Sequence, residues 1–235
     1  MKTRSFTLLF AFAAVLAAAT LPASAVSFDF YKLGRGAGDF VPNGVAGTDY
    51  FPILGDNVSS NVSGGTFNGN LKFTNGGITA TATGTFNNAV VAVVQDSEPG
   101  WNATTGAGLG VYHVNPLDTS DDNITAGEKL TLTFSQTVQI TSIALRSDGH
   151  NFTNWSVGDT FLLNGVSTLL PLNVGSIPVN LTGTQFTFAF GGTQANQFYL
   201  ASLEARSVPD GGATVALMGL STIALGVFRA RFAKQ

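Results

Sequence analysis

The chain has 235 residues, 44% of them hydrophobic and only 11% charged, with a formal net charge of −3, 19 Phe, 28 Gly and no Cys. The absence of cysteine excludes disulfides and thiol chemistry, so an exported domain must be held by its own core or by a metal. The phenylalanines supply apolar bulk that a disordered chain lacks.

The first 25 residues read as a secretory leader. Lys2 and Arg4 precede an apolar stretch from Phe6 to Leu21, and Ala23 and Ala25 stand in the small-x-small arrangement that signal peptidase accepts. Cleavage is expected after Ala25, which places the remaining chain outside the cytoplasmic membrane. The competing reading is a first helix of the fold. Between Val26 and Asp210 all 14 acids face only six cations (Lys32, Arg35, Lys72, Lys129, Arg146 and Arg206), a net charge of −8. That balance disfavours nucleic acid and anionic membrane surfaces, which need clustered cations.

The expected domain occupies 26–207 and shows period-two alternation rather than helical periodicity. Leu71–Phe73 leads into the turn Asn75-Gly76-Gly77. The next run, ITATATGTF, sets Thr79, Thr81, Thr83 and Thr85 on one face. Asn87-Asn88 turns the chain into AVVAVVQ, an apolar run suited to a buried strand, and GLGVYHV follows as another strand. KLTLTFS places Leu130, Leu132 and Phe134 on one face. After an expected turn at Gln136-Thr137, VQITSIALRS shifts its apolar phase between Ile140 and Ile143, the mark of a β-bulge. TFLLNG, SIPVNLTG, TQFTFAFGG and QFYLASLEARS are later strands, with Phe186, Phe188 and Phe190 pointing one way into the core. Short strands, frequent turn signals and no helix predict an all-β fold, an antiparallel β-sandwich of the jelly-roll kind.

Two loops carry chemistry. Asp118, Asp121, Asp122 and Asn123, with Glu128 at the next strand's entrance, offer the hard oxygens that Ca²⁺ takes, without the order of an EF-hand. The alternative is a solvated acidic turn capping local backbone donors. Asp148, His150 and Asn151 precede Trp155, and Trp101 lies in another loop. Polar groups beside an exposed ring are how proteins hold sugars, while a partly buried loop anchor is the plainer reading of each Trp. Catalysis finds little support. There is no G-x-S-x-G elbow, and His113 and His150 lack tight ligand spacing. A carboxylate pair for glycoside hydrolysis depends on the fold and stays open.

The tail, 208–235, begins VPDGG, runs apolar from Ala213 to Phe228 and ends with Arg229, Arg231 and Lys234. A core helix would be apolar on nearly every face, and a β-sandwich has no slot for it. A single transmembrane helix is short, but its flanking arginines can snorkel, and the positive-inside rule leaves the domain outside. A lipid-anchor signal would carry a polar spacer and no basic end.

A Pro-acid motif, an apolar helix and a basic end, combined with an N-terminal leader, resemble the PEP-CTERM class of bacterial sorting signals in its Val-Pro-Asp variant. The segment GAGLGVYHVNPLDTSDDNITAGEKLTLTFSQTVQITSIALRSDGHNF, from Gly106 to Phe152, is similar to domains carried by such proteins. The resemblance implies processing by an exosortase at Val208, Pro209, Asp210, Gly211 and Gly212. It also implies a transient hold in the membrane through the C-terminal helix, then release to the cell surface or extracellular matrix. There a structural or adhesive role associated with exopolysaccharide or biofilm is expected. A carbohydrate-binding module with a defined glycan is the alternative, and a polysaccharide-active enzyme a more distant one.

Overall fold

A computed structural model describes residues 25–32, 57–59, 69–96, 106–113, 122–150, 155–172 and 174–208, together with Gly219 and Ser221 in the tail. Eleven strands lie among them: β1 (Ala25–Asp29), β2 (Asn57–Val58), β3 (Leu71–Asn75), β4 (Ile78–Phe86), β5 (Ala89–Asp96), β6 (Gly108–Tyr112), β7 (Glu128–Arg146), β8 (Thr160–Leu163), β9 (Val166–Leu169), β10 (Ser176–Ala189) and β11 (Tyr199–Ser207). Every pairing between strands is antiparallel, and no helix occurs among the described residues of 25–208. The all-β, antiparallel expectation is met. Among the described residues no helix is long and apolar enough to cross a membrane.

Three hairpins follow from their turn residues. Gly76-Gly77, Asn87-Asn88 and Asn164-Gly165 all take positive φ at both central positions. This backbone twists with the strands it joins, and Gly and Asn are the residues that accept it. Gly76 is required twice over, because a Cβ there would lie 2.3 Å from Val26 Cγ1. The β3–β4 turn is thus seated directly on β1.

The strands form one sheet in the order β1-β11-β6-β5-β4-β7-β10-β8-β9, and β11 also pairs with β7. That extra pairing closes a circuit of five strands, β4-β5-β6-β11-β7. Strand β7 makes the closure possible. Its first half pairs with β4 from Glu128 to Phe134, and its second half pairs with β11 from Val138 to Arg146. The turn expected at Gln136-Thr137 is not formed: the chain stays extended for 19 residues. Ser135, Gln136 and Thr137 are exposed because β7 passes there from one neighbour to the other, so polarity at that point marks a handover and not a reversal. The expected bulge between Ile140 and Ile143 is present. There β7 advances two residues for one of β11, from Ile140 opposite Ala205 to Ser142 opposite Glu204.

The core gathers side chains from nearly the whole circuit. Phe28, Phe134 and Phe186 form successive edge contacts at 5.9 and 5.8 Å, and Phe30 meets Phe73 at 4.8 Å. These contacts tie β1, β3, β7 and β10 together, and edge-to-face geometry adds to the burial of each ring. Phe186 and Phe188 are core residues as expected, whereas Phe190 lies just past the end of β10 and is half-buried.

Candidate functional site

Among the described residues, titratable groups converge where β5 ends, β6 begins and β11 starts. Strand β5 is buried continuously from Val91 to Asp96. Its register places Asp96 opposite Gly108, so the carboxylate sits at the inner end of the β5–β6 ladder. The chain at Asp122-Asn123 crosses over β6, with the Val111 N–H donating to Asn123 O at 3.0 Å. Gly110 permits this crossing, because a Cβ there would fall 1.7 Å from Asp122 O. Ile124 then bridges to Phe198, one residue before β11. His150 comes from the turn that follows β7 and takes a positive φ of 68°.

Three side chains meet here: Asp96, Asp122 and His150 bring one ligand-type atom each to within 4.8 Å of the others. His150 Nε2 lies 2.9 Å from Asp96 Oδ2, and the Tyr199 hydroxyl donates to Asp122 Oδ1 at 2.5 Å. The His150 and Tyr199 rings meet edge-on at 5.8 Å. Arg146, at the end of β7, donates through Nη1 to Gly106 O at 2.7 Å and to His150 O at 3.3 Å, and stacks over Tyr31 at 4.5 Å. This holds the His150 turn against the sheet.

Burial dominates the electrostatics. It pushes the Asp122 carboxyl up to about 7, with the nearby Asp96 adding to the rise and Tyr199 and His150 opposing it. Tyr199 is held well above the usual phenol range by burial first and by Asp122 next. Two carboxylates thus share a poorly hydrated space with one imidazole.

The acidic loop read from the sequence divides. Asp118 and Asp121 lie outside the described residues, and Asp122 joins the cluster above. Asn123 is buried, and neither of its amide atoms has a hydrogen-bond partner among the described residues. Glu128 turns to other partners: Oε1 lies 2.8 Å from His113 Nδ1 and Oε2 accepts from Thr125 N–H at 2.8 Å. The His113 ring is stacked on Phe86 at 3.7 Å. Both Glu128 oxygens therefore serve as an internal staple, and among the described residues the group that forms around Asp122 is Asp96 and His150.

The expected sugar-binding set divides as well. Trp101 and Asn151 lie outside the described residues, Asp148 is exposed, and His150 belongs to the buried cluster. Trp155 corrects the expectation placed on it. It is a core residue, 4% exposed, and its Nε1–H donates to Gln197 O at 3.2 Å. A ring so enclosed has no face to offer a sugar. A shallow groove between β1, β7 and β11 has the chemistry that Trp155 lacks: Tyr31 and Arg146 flank it with Ser27, Ser142 and Ser202.

Two of the residues expected to be processed, Ala25 and Val208, are described. Ala25 opens β1 opposite Arg206, and the Val208 N–H donates to Thr137 O at 3.0 Å. Ala23 and the motif residues Pro209, Asp210, Gly211 and Gly212 lie outside the described residues.

Asp96 and Tyr199 were missed by sequence reasoning. Asp96 had a signal, since a carboxylate that follows the apolar run AVVAVV by two residues must find partners if the strand is buried. The chain matches no protein-family model, no curated protein and no solved structure.

Proposed function

We propose that this is an exported bacterial surface or matrix protein with a structural or adhesive role, delivered by a C-terminal sorting signal that an exosortase recognises at Val208-Pro209-Asp210. The observation that carries the reading is the register of β1 on β11. Ala25, the expected signal-peptidase residue, pairs with Arg206, two residues before Val208. Leader and tail therefore depart from the same corner of the domain. Neighbouring ends suit a chain that enters and is held at one membrane, because the folded domain then stands clear on one side. Pro209 has no N–H and cannot extend the β11 ladder, so the motif begins where the sheet stops. The single apolar run after it acts as a transient transmembrane hold.

A jelly-roll-like β-sandwich suits this role. In that reading the two halves of β7 serve two facing layers, with the phenylalanine core between them and the five-strand circuit as a barrel-like closure at one side. The role is non-catalytic. Among the described residues the convergent titratable cluster is Asp96, Asp122 and His150, whose side chains already partner one another and Tyr199.

Carbohydrate contact remains the second reading, moved from Trp155 to the groove beside Tyr31. A ring stacked on a guanidinium and bordered by hydroxyls is suited to sugar C–H faces and hydroxyls together. Intact mass of the protein recovered from a host with an exosortase tests the first reading. A mass corresponding to residues 26 to about 208 is expected, and a chain that keeps its tail in that host overturns the sorting assignment. Polysaccharide pull-down with Tyr31→Ala tests the second, since undiminished binding removes the groove from consideration.

A further inference from the structure

We infer that Asp96, Asp122 and His150 form a binding site for a divalent transition metal, with Zn²⁺ as the fitting ion. The ligands come from three separate segments: the end of β5, the crossing over β6 and the turn after β7. Their ligand atoms already lie within 4.8 Å of one another. Zn²⁺ binds carboxylate oxygen and imidazole nitrogen at about 2.0–2.2 Å, which sets ligand atoms of a tetrahedral site about 3.3–3.6 Å apart. The His150 Nε2–Asp96 Oδ2 pair at 2.9 Å is tighter than this spacing and the 4.8 Å limit of the group is wider, so the ion would part the first and draw in the rest. An imidazole among two carboxylates favours zinc over calcium, which takes six to eight oxygens. The site thus differs in kind from the calcium loop expected around Asp118 to Glu128, though Asp122 is common to both.

Three further features support the assignment. Asp96 and Asp122 bring two carboxyl groups together beside one imidazole, and a dication can take an oxygen from each. The Tyr199 hydroxyl on Asp122 is the outer partner that orients a metal-bound carboxylate, and Arg146 fixes the His150 turn through the His150 carbonyl. Beside Asp122, the buried Asn123 side chain has no hydrogen-bond partner among the described residues. A buried amide is ordinarily hydrogen-bonded, so Asn123 leaves polar capacity next in the chain to Asp122. Three protein ligands leave one position for a water. This inference does not depend on the sorting reading.

The test uses the full chain purified in detergent and stripped with chelator. Zn²⁺ and Ca²⁺ are titrated by calorimetry, and Co²⁺ is added as a spectroscopic stand-in. One Zn²⁺ per chain is expected, with Co²⁺ absorption bands of low-coordinate N/O ligation and no competing effect of Ca²⁺. Removing a ligand in His150→Ala or Asp122→Asn is expected to weaken Zn²⁺ binding by at least about 100-fold, and Tyr199→Phe by about 10-fold. Glu128→Gln removes a carboxylate from the separate staple and leaves Zn²⁺ affinity unchanged, which distinguishes lost ligation from a weakened fold. Absence of stoichiometric Zn²⁺ overturns the assignment, as does equal binding by His150→Ala. Preference for Ca²⁺, or loss of the ion in Glu128→Gln with retention in Asp122→Asn, also overturns it and returns the site to the acidic loop.

Discussion

Asp159 is a buried carboxylate that the fold uses as a staple, and its removal should be felt throughout β8. Its Oδ2 accepts from the Ser156 N–H and from Asn196 Nδ2, both at 2.7 Å, and its Oδ1 accepts from Gln194 Nε2 at 2.6 Å. The same segment is held by Thr160 N–H on Gln194 O and Asn196 N–H on Thr160 O. A hydrogen bond to a charged group contributes about 1.5–3 kcal/mol, and the three share one acceptor group and are not independent. Asp159→Asn keeps the volume but turns an amide donor toward Asn196 or Gln194, so a loss of about 3 kcal/mol is expected at pH 7. For a domain of this size that lowers Tm by roughly 6–12 °C. Burial alone would raise the Asp159 pKa, but the three donors outweigh it and hold the carboxyl below its ordinary 3.8. A depressed folded-state pKa gives stability that is complete above the unfolded value and is lost as pH falls through the folded one. The Tm gap between wild type and Asp159→Asn, followed by circular dichroism, should therefore be full at pH 5–7 and shrink below about pH 3.8. A gap unchanged at pH 2.5, or absent at pH 7, would refute the reasoning.

Other substitutions test the packing and the site. Trp155→Ala removes a core ring and should cost about 3–5 kcal/mol in thermal or urea unfolding, while polysaccharide binding stays as in wild type. Phe134→Ala breaks the aromatic chain between β1, β7 and β10, with a cost in the same range of about 3–5 kcal/mol; a loss under about 1 kcal/mol would mean the core does not run through it. Gly110→Ala sets a methyl group against Asp122 O. It should displace the crossing over β6, lower Tm and weaken Zn²⁺ binding together, and a fall in Tm with Zn²⁺ affinity intact would separate the crossing from the site. Gly76→Ala introduces both a positive-φ penalty and the clash with Val26, and should lower Tm more than Gly77→Ala, where a Cβ meets nothing within 4 Å.

The long strands were legible because each has one buried face. ITATATGTF and KLTLTFS alternate cleanly, and Asn87-Asn88 announces its turn by composition. Strands β1, β2 and β9 were not read. β2 is two residues long, β9 is mostly exposed and does not alternate, and β1 follows the leader so closely that its own pattern is submerged. The polar run Ser135–Thr137 imitates a turn, since exposure at a handover between neighbours has the same composition as exposure at a reversal. Asp122 and His150 were both singled out, but for different sites. Nothing local to either loop reports that the ladders of β5 on β6 and β7 on β11 bring them face to face. Tertiary register decides that, and it also converts Trp155 from a candidate contact into a core residue.

The polar interior explains how a cysteine-free sheet of this kind keeps its connections in place. Hydrophobic burial fixes the strands, and polar contacts add to it at strand ends and at the described segments beside them. At three such places a buried carboxylate gathers donors from distant parts of the chain. Asp159 joins Ser156 to Gln194 and Asn196, and Glu128 joins His113 to Thr125. Asp96 and Asp122 bring His150 and Tyr199 to one point. Each closes a loop, as a disulfide would, by making the ordered arrangement the one in which a desolvated charge is satisfied. The difference lies in the response to chemistry. A disulfide survives acid and chelators, whereas these staples fail by protonation at Asp159 and, where the cluster holds Zn²⁺, by removal of the ion. Acid and chelator should therefore loosen different connections of the same domain. Hydrogen exchange would separate them: acid should expose the amides of β8 and of Gln194–Asn196 first, and chelator those of Asn123 and Ile124.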